Sequence, residues 1–288
     1  MSINELPYEL INHIFDYLDF INKIKLKSLC KKYNELKIYD LYNIEYKYKD
    51  RLSDEILKNY PYVKYLDAFC NSKIKKINYL INLEKLNATY SKINNKNIKD
   101  LNLVELIACD NKNITDVNHM TNLQILDASG DCGLSDIGIK HINLIILKVS
   151  CNSKISNINH MTNLKILDAF NCCFCGINDN GIKNLNLIEL NASDNQKIKN
   201  IGHMMNLKKL NASGRCGIDD NDIKNLNLIE LDASDNDKIK NINHMTNLKK
   251  LNASGRCQIN NNDIKNLNLI ELKAFKYGSS YLLSRIFI

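Results

Sequence analysis

Leucine recurs along most of the chain in units of 20–23 residues. If the leucine after each recurring asparagine is position 1 of a unit, position 4 is always leucine and position 6 is alanine or, once, valine. Apolar residues two apart lie on one face of a β-strand. The pattern therefore predicts one short strand per unit, with positions 4 and 6 in the core and positions 3 and 5 facing solvent. The units begin at Tyr62, Asn82, Asn102, Asn122, Asn143, Asn163, Asn186, Asn206, Asn227, Asn247 and Asn268.

One unit of this size cannot bury its leucine face alone, but units that stack on each other bury it continuously. About eleven units therefore predict an α/β solenoid with a curved parallel β-sheet. At ~4.8 Å per strand, this sheet would be on the order of 50 Å long.

Two kinds of unit alternate, and they differ where the chain turns inward after the strand. One kind has asparagine at position 9: Asn71, Asn111, Asn152, Asn195 and Asn236. The other has cysteine at position 10: Cys132, Cys216, Cys257 and, in a unit two residues longer, Cys173. An amide donates and accepts hydrogen bonds at once, so we expect the asparagines to form a ladder inside the turns. Cysteine is small and commonly buried, and it can occupy the same turn.

The pattern Leu-x-x-Leu-x-Ala-x-x-Asn/Cys resembles a leucine-rich repeat over residues 62 to about 277, with alanine in place of the usual leucine at position 6. The resemblance implies that the asparagine units return through a turn. It also implies that the cysteine units, with segments such as GIDDNDIKNL, return through a short helix.

Residues 1–60 do not repeat and show helical spacing instead. Pro7 suits a first helical turn. A second segment, INKIKLKSLCKKYNEL, places apolar residues between lysines. Two or three such helices carry more apolar positions than a small bundle can hide, which suggests a partner. One predicted helix face holds Leu6, Leu10, Ile14, Phe15 and Leu18.

This stretch resembles an F-box over roughly residues 3–45. The motif is carried by Leu6-Pro7, Glu9-Leu10, Ile14-Phe15, Tyr17-Leu18, Leu26, Leu29-Cys30-Lys31 and Tyr33, where tryptophan is usual. The resemblance implies docking onto a Skp1-like adaptor protein through Leu6, Pro7, Leu10, Ile14, Phe15, Leu18, Ile24, Leu29 and Tyr33. The alternative is that these helices only cap the solenoid.

The two resemblances divide the chain into an F-box at 1–45, a linker and N-terminal solenoid cap at 46–61, and leucine-rich repeats at 62–288. Within the linker, LSDEILKNYP resembles the helical half of a repeat. An F-box joined to leucine-rich repeats implies a non-enzymatic substrate-recognition adaptor of a Skp1–cullin–F-box ubiquitin ligase. The alternative is a non-catalytic scaffold independent of ubiquitination. The chain is similar to F-box/leucine-rich-repeat proteins encoded by large DNA viruses and amoebae, and the duplicated units and the abundance of Lys, Asn and Ile would suit recent expansion, for instance in a large DNA virus.

The predicted concave face of the sheet offers a site for the unknown target protein. In the middle, position 3 is isoleucine in three successive units, and charged residues occupy position 5. An apolar stripe bordered by charge is typical of a protein-binding surface, although curvature could bury part of it. The predicted target-binding residues are Ile125, Asp127, Ile146, Lys148, Ile166, Asp168 and Phe170. Further along, position 3 alternates through Glu189, Lys209, Glu230, Lys250 and Glu271, which predicts a self-neutralising surface.

Charge and composition narrow the choice of partners. The net charge is +7, but basic residues are interleaved with acidic ones, which favours a solvated surface over a nucleic-acid footprint. No apolar run approaches the ~20 residues of a membrane span, and the N-terminus lacks a signal-peptide pattern. We therefore expect no membrane partner and a cytoplasmic or nuclear location, or the host cytoplasm for a viral protein. In that compartment the ten cysteines should be free thiols.

Two features suggest chemistry. They are the cluster Cys172-Cys173-Phe174-Cys175 and the histidines His119, His160, His203 and His244. A zinc site needs four ligands at ~2–2.3 Å, but the cysteines follow the strands while the histidines lie on the return path. Structural thiols, turn histidines and a bulged loop around Phe174 are therefore favoured over metal. Without a Cys–His pairing or a glycine-rich nucleotide motif, we expect no catalytic residue, metal or cofactor.

Overall fold

The computed structural model describes residues 6–29, 33, 35–171 and 174–275. The predicted residues Cys30, Lys31, Cys172 and Cys173 lie outside these ranges, as does the end of the repeat region, 276–288. The chain divides between Ile107 and Ala108 into two compact units. Twelve described strands follow one another in chain order, four in the first unit and eight in the second. This arrangement confirms the predicted parallel repeat architecture.

The first unit begins with two helices and continues into the first repeats. Its elements are α1 (Tyr8–Tyr17), α2 (Phe20–Leu29), β1 (Asp40–Leu41), α3 (Tyr46–Lys49), α4 (Asp54–Leu57), β2 (Tyr65–Asp67), β3 (Lys85–Asn87), α5 (Asn95–Ile98) and β4 (Glu105–Ile107). The four strands pair in parallel with their neighbours. Strand β1, which pairs with β2, was not predicted. It is only two residues long and has no leucine-rich unit of its own.

The second unit consists of repeats alone. Its elements are β5 (Ile125–Asp127), a 3-10 helix (Ile137–Ile139), β6 (Ile146–Lys148), β7 (Ile166–Asp168), α6 (Asp179–Ile182), β8 (Glu189–Asn191), β9 (Lys209–Asn211), α7 (Asp220–Ile223), β10 (Glu230–Asp232), β11 (Lys250–Asn252), α8 (Asn261–Ile264) and β12 (Glu271–Lys273). Each strand pairs in parallel with the next, and position-4 leucines stand opposite each other. The short helices fall in the cysteine units, as the repeat pattern implied.

The leucine positions form the core in both units. The position-4 leucines from Leu66 to Leu251 are at most 2% exposed, and so are the position-6 residues from Ala68 to Ala253. In the last described strand Leu272 is only half-buried. Each repeat is therefore covered by the neighbouring repeat that stacks on it, as expected for a solenoid.

Position 8 of most units lies in the left-handed region of backbone space. Non-glycine residues such as Asp194 (φ +55°) alternate there with glycines such as Gly214 (φ +67°). The Asp194 carboxylate accepts a hydrogen bond from the backbone N–H of Arg215 at 2.9 Å. A Cβ on Gly214 would lie 2.3 Å from the same carboxylate, so glycine is required on steric grounds as well. The pairs Asp110–Gly130 and Asp235–Gly255 repeat this contact.

The buried asparagines at position 9 do not form the expected ladder. The Asn195 amide donates to the carbonyls of Ala169 and Ile177 in the preceding unit at 3.1 and 3.3 Å. Its oxygen accepts from the backbone N–H of Lys197 at 3.0 Å, and Asn152 and Asn236 make the equivalent bonds. Successive position-9 asparagines are two strands apart, or ~10 Å, which is beyond hydrogen-bond reach. Each asparagine therefore ties its own unit to the backbone of its neighbour.

The cysteine at the inward turn of the longer unit is Cys175, whereas the sequence pattern pointed to Cys173. Cys175 is fully buried like Cys132 and Cys216. The backbone N–H of the following Gly176 donates to the Asn152 carbonyl at 2.8 Å, just as Gly217 donates to Asn195. The two additional residues thus precede the cysteine, and the Cys-Gly pair marks the equivalent position.

One cysteine departs from the expectation of free thiols. Cys151 is disulfide-bonded. Cys70, Cys109, Cys132, Cys175, Cys216 and Cys257 are thiols outside any disulfide. Most of the described cysteines therefore fit the prediction, and Cys151 corrects it.

Candidate functional site

Helix α1 has two apolar stripes, one that faces the interior and one that faces solvent. Ile11 and Phe15, four residues apart, are each 1% exposed. Leu10 and Ile14, also four residues apart, are 44% and 36% exposed. Tyr17, one turn further, is 80% exposed, and its ring lies 5.1 Å from that of His13. The result is a solvent-facing apolar stripe that the helix does not need for its own packing.

The nine residues predicted to bind a Skp1-like protein divide by burial. Phe15 and Tyr33 are 1% and 0% exposed, so the structure places them in the core, and their contact with a Skp1-like protein stays a prediction. Pro7 is exposed, and Leu29 is 64% exposed. The half-buried members are Leu6, Leu18 and Ile24. Tyr17 was not among the nine, although its spacing from Leu10 and Ile14 puts it on the same stripe.

The inner side of α2 packs against the linker and against the chain that follows the helix. The Phe20 ring lies 5.8 Å from the ring of Tyr48 and 6.3 Å from that of Tyr60. Lys27 donates a hydrogen bond to the Leu36 carbonyl, and burial lowers the pKa of this lysine below its ordinary value. Hydrophobic and polar contacts thus fix the inner face and leave the outer apolar stripe open.

The linker also carries a contact typical of the repeats. The Asp54 carboxylate, in the first turn of α4, accepts from the backbone N–H groups of Lys75 and Lys76 at 2.7 and 2.8 Å. Asp220, in the first turn of α7, accepts from Lys240 and Asn241 at 2.8 and 3.0 Å. Helix α4 therefore occupies the position of a repeat helix.

The second candidate surface is the solvent-facing side of the sheet in the second unit. Ile125, Ile146 and Ile166 stand opposite one another on adjacent strands. All three are half-exposed, so they are neither fully buried nor free. Phe170 at the strand end is half-exposed and Phe174 is 72% exposed. The structure therefore places the predicted apolar residues side by side along one stretch of sheet.

The aspartates beside this stripe accept hydrogen bonds from the backbone, a structural role that the sequence analysis missed. Asp127 accepts from the backbone N–H of Ser129 at 3.0 Å. Asp168 accepts from the Phe170 N–H at 3.2 Å and also from the Ser150 hydroxyl at 2.8 Å. Asn or Asp at position 5 caps the strand end in the same way in most units. Among the predicted charges of the stripe, Lys148 alone projects as an exposed side chain.

Beyond the isoleucines, the same side of the sheet carries alternating charges. Lys209 lies 4.0 Å from Glu189 and 3.8 Å from Glu230, and Lys250 lies 3.4 Å from Glu230. These residues line a shallow depression of about 360 Å³ that reaches to Lys273. The predicted self-neutralising surface is therefore present, and its side chains remain partly open to solvent.

The thiols and histidines serve the turns. Burial raises the pKa of Cys132 and Cys216 to about 11, and burial with neighbouring carboxylates raises that of Cys109 to about 12. Such thiols are poor nucleophiles near neutral pH, because the thiolate is the reactive form. The Nε2 atoms of His160 and His244 lie 3.1 Å from backbone carbonyl oxygens. No cluster of three metal-ligating side chains occurs among the described residues.

The sequence and the fold of this chain are similar to those of known proteins. Residues 3–37 match the F-box domain. This F-box domain includes α1, α2 and the exposed apolar stripe. Together with the repeats, it supports a protein-interaction role. The finer expectation of a viral or amoebal origin stays a prediction.

Solved structures show similar folds at low identity. They include the TLR13–ssRNA13 complex (17% identity, TM-score 0.46, covering 75% of this chain and 40% of that chain). An internalin from Listeria monocytogenes matches at 17% identity and TM-score 0.43, covering 96% and 94% of the two chains. The yeast complex of Rad7 and Elc1 matches at 16% identity and TM-score 0.43, covering 79% and 68%. No curated protein sequence matches. In the part of the chain that is described, no helix is long and apolar enough to cross a membrane.

Proposed function

We propose that the protein is a substrate-recognition adaptor of a Skp1–cullin–F-box ubiquitin ligase. The observation that carries the proposal is the solvent-facing stripe of Leu10, Ile14 and Tyr17 on a helix within the F-box match. Burying a large apolar side chain at an interface is worth roughly 1.5–3 kcal/mol. A stripe with this spacing suits a partner that brings its own apolar helix or groove.

The adaptor would act by proximity and not by catalysis. Its F-box domain would hold a Skp1-like protein while the solvent-facing side of the sheet holds a target protein. Two binding surfaces on one chain raise the effective concentration of target lysines near a conjugating enzyme. This mechanism needs no cofactor, metal or catalytic residue, and it requires a cytoplasmic or nuclear location where the ligase is present.

A second candidate is a scaffold in which the helices serve only as a cap. The packing of Phe20 against Tyr48 and Tyr60 favours this candidate, because it gives the helices a structural use inside the first unit. A cap, however, gains nothing from exposing Leu10 and Ile14. Direct binding to Skp1 therefore separates the two candidates.

The test measures binding of purified full-length protein to purified Skp1 by calorimetry. We expect the double variant Leu10→Asp/Ile14→Asp to bind at least 10-fold more weakly than wild type. Asn12→Asp is the matched control, since this exposed residue lies on the same helix away from the stripe. Circular dichroism of the repeats should be unchanged in all three proteins. The adaptor proposal fails if wild type does not bind Skp1 or if the double variant binds equally well.

A further inference from the structure

Eight side chains from consecutive strands of the second unit stand in one line, which we name the sheet row. Each member occupies position 3 of its strand, and the strand register places it directly opposite the next. With ~4.8 Å between strands, the row is on the order of 34 Å long. Its members, in order, are Ile125, Ile146, Ile166, Glu189, Lys209, Glu230, Lys250 and Glu271.

The sheet row has two chemically different halves. The first three members are isoleucines, and the next five alternate between acidic and basic side chains. The charged side chains are 31–52% exposed despite their mutual ion pairs. Alternation is not required for solubility, because any balanced mixture of charges would provide that. The order of the charges is therefore a pattern that a ligand can read.

The spacing of the row selects the conformation of a matching ligand. One face of an α-helix presents a side chain about every 5.4 Å, whereas one face of an extended strand presents one every ~6.7 Å. Over seven steps, a helix drifts from the row by ~4 Å and a strand by ~13 Å. Long charged side chains can absorb the smaller drift but not the larger one. Geometry thus favours a helix that lies along the row, across the strands.

We propose that the target presents an amphipathic helix of about 26 residues, long enough to place eight side chains, one turn apart, along the row. One face of this helix would carry apolar residues over three turns and alternating basic and acidic residues over the next five. A basic residue would oppose Glu189, an acidic one Lys209, and so on to Glu271. The proposal deepens the adaptor function and rests on it, since it names the class of target that the second surface takes.

The alternation confers specificity more than affinity. The row contains three acidic and two basic side chains, so its net attraction for any peptide is small. A helix with the opposite phase of charges would place like charges opposite each other at every turn, which is strongly unfavourable at an interface. Two peptides of equal composition should therefore bind very differently.

The experiment uses two synthetic helical peptides with the same apolar half. The face of the first reads Lys-Glu-Lys-Glu-Lys and that of the second Glu-Lys-Glu-Lys-Glu. Outward-facing residues equalise their net charge, and both chain directions are made. Fluorescence anisotropy with wild-type protein should show at least 10-fold tighter binding of the first peptide in one direction. Affinities within about 2-fold in both directions, or no binding of any peptide, would overturn the proposal.

A protein variant gives the reciprocal test. It reverses all five charges of the row (Glu189→Lys, Lys209→Glu, Glu230→Lys, Lys250→Glu and Glu271→Lys). Because the alternation is kept, the ion pairs within the row are kept too. The variant loses the exposed pair of Glu271 with Lys273, and such pairs contribute little to stability, so the fold should not change. The preference between the two peptides should invert, and an unchanged preference would contradict the proposal. The separate variant Ile146→Asp should weaken binding of the preferred peptide by about 10-fold or more.

Skp1 binding by the same protein preparations separates the two proposals. If Skp1 binds but the peptides are not discriminated, the helical target is wrong and the adaptor function stands. If the peptides are discriminated but Skp1 does not bind, the row is a helix-binding surface on a protein that is not a Skp1 adaptor.

Discussion

Leu10 and Ile14 in α1 are 44% and 36% exposed, whereas the position-4 leucines of the repeats from Leu126 to Leu251 are at most 2% exposed. The side chains are of the same kind, so the difference lies in what covers them. In the repeats, every leucine meets the leucine of the next strand. On the outer side of α1 no described residue of the chain provides such a cover. The repeats therefore complete their own core, while the helices leave an apolar surface for another protein.

The largest expected effect is the difference in stability between two leucine-to-alanine substitutions, one in the repeats and one on the outer side of α1. Leu190→Ala removes a side chain that is 1% exposed, and we expect it to lower the free energy of unfolding by about 2–5 kcal/mol. Leu10→Ala removes a half-exposed side chain, and its effect should stay within about 0.5 kcal/mol. Urea denaturation followed by circular dichroism measures both. Equal losses in the two variants would show that Leu10 belongs to a core, and the comparison would collapse.

The next effect concerns the polar half of the repeat core. Asn195→Ala leaves the carbonyls of Ala169 and Ile177 and the N–H of Lys197 without their side-chain partner, which should cost about 1–3 kcal/mol. Asn184→Ala, at an exposed position, is the control and should change stability by less than about 0.5 kcal/mol. The same urea titration gives both values. A neutral Asn195→Ala would mean that leucine packing alone holds the units together.

A smaller effect is expected at the left-handed turns. Gly214→Ala forces alanine to φ +67° and brings its Cβ against the Asp194 carboxylate, which should cost at least about 1–2 kcal/mol. Gly202→Ala is the matched control, because its Cβ would meet no atom closer than 3.4 Å. The double variant Asp194→Ala/Gly214→Ala should recover the steric part of the loss. If the two single glycine variants melt at the same temperature, the turn is not constrained as described.

The sequence predicted the repeats well, because their determinants are local and recur. Leucine and alanine at positions 4 and 6 specify a strand whatever the neighbours are, and repetition averages out single exceptions. The asparagines at position 9 depend on partners in another repeat, and for them the prediction was wrong. The asparagines were expected to bond to each other, but their partners are carbonyls 18–26 residues away, such as those of Ala169 and Ile177 for Asn195.

The candidate surfaces were predicted less completely. Helical periodicity grouped Phe15 with Leu10 and Ile14, but a helix has two adjacent stripes and only packing shows which one is buried. The sequence analysis treated Asp127 and Asp168 as surface charges. Each carboxylate accepts a hydrogen bond from a backbone N–H two residues later, and such a bond has no recognisable pattern in the sequence. The alternating charges of the sheet row were visible in the sequence. Only the strand register shows that these side chains form one line with a regular spacing.

The smallest expected effect is the loss of one charge from that line. Lys209 contacts Glu189 and Glu230 at 4.0 and 3.8 Å, and its side chain is 49% exposed. Exposed ion pairs contribute roughly 0.2–1 kcal/mol, and both pairs of Lys209 are long, so Lys209→Gln should lower the free energy of unfolding by no more than about 1 kcal/mol. A loss of 2 kcal/mol or more in the urea titration would explain the alternation as a device for stability. A loss within the expected range would mean that stability does not explain the order of the charges. Recognition of a ligand would then be the explanation for that order.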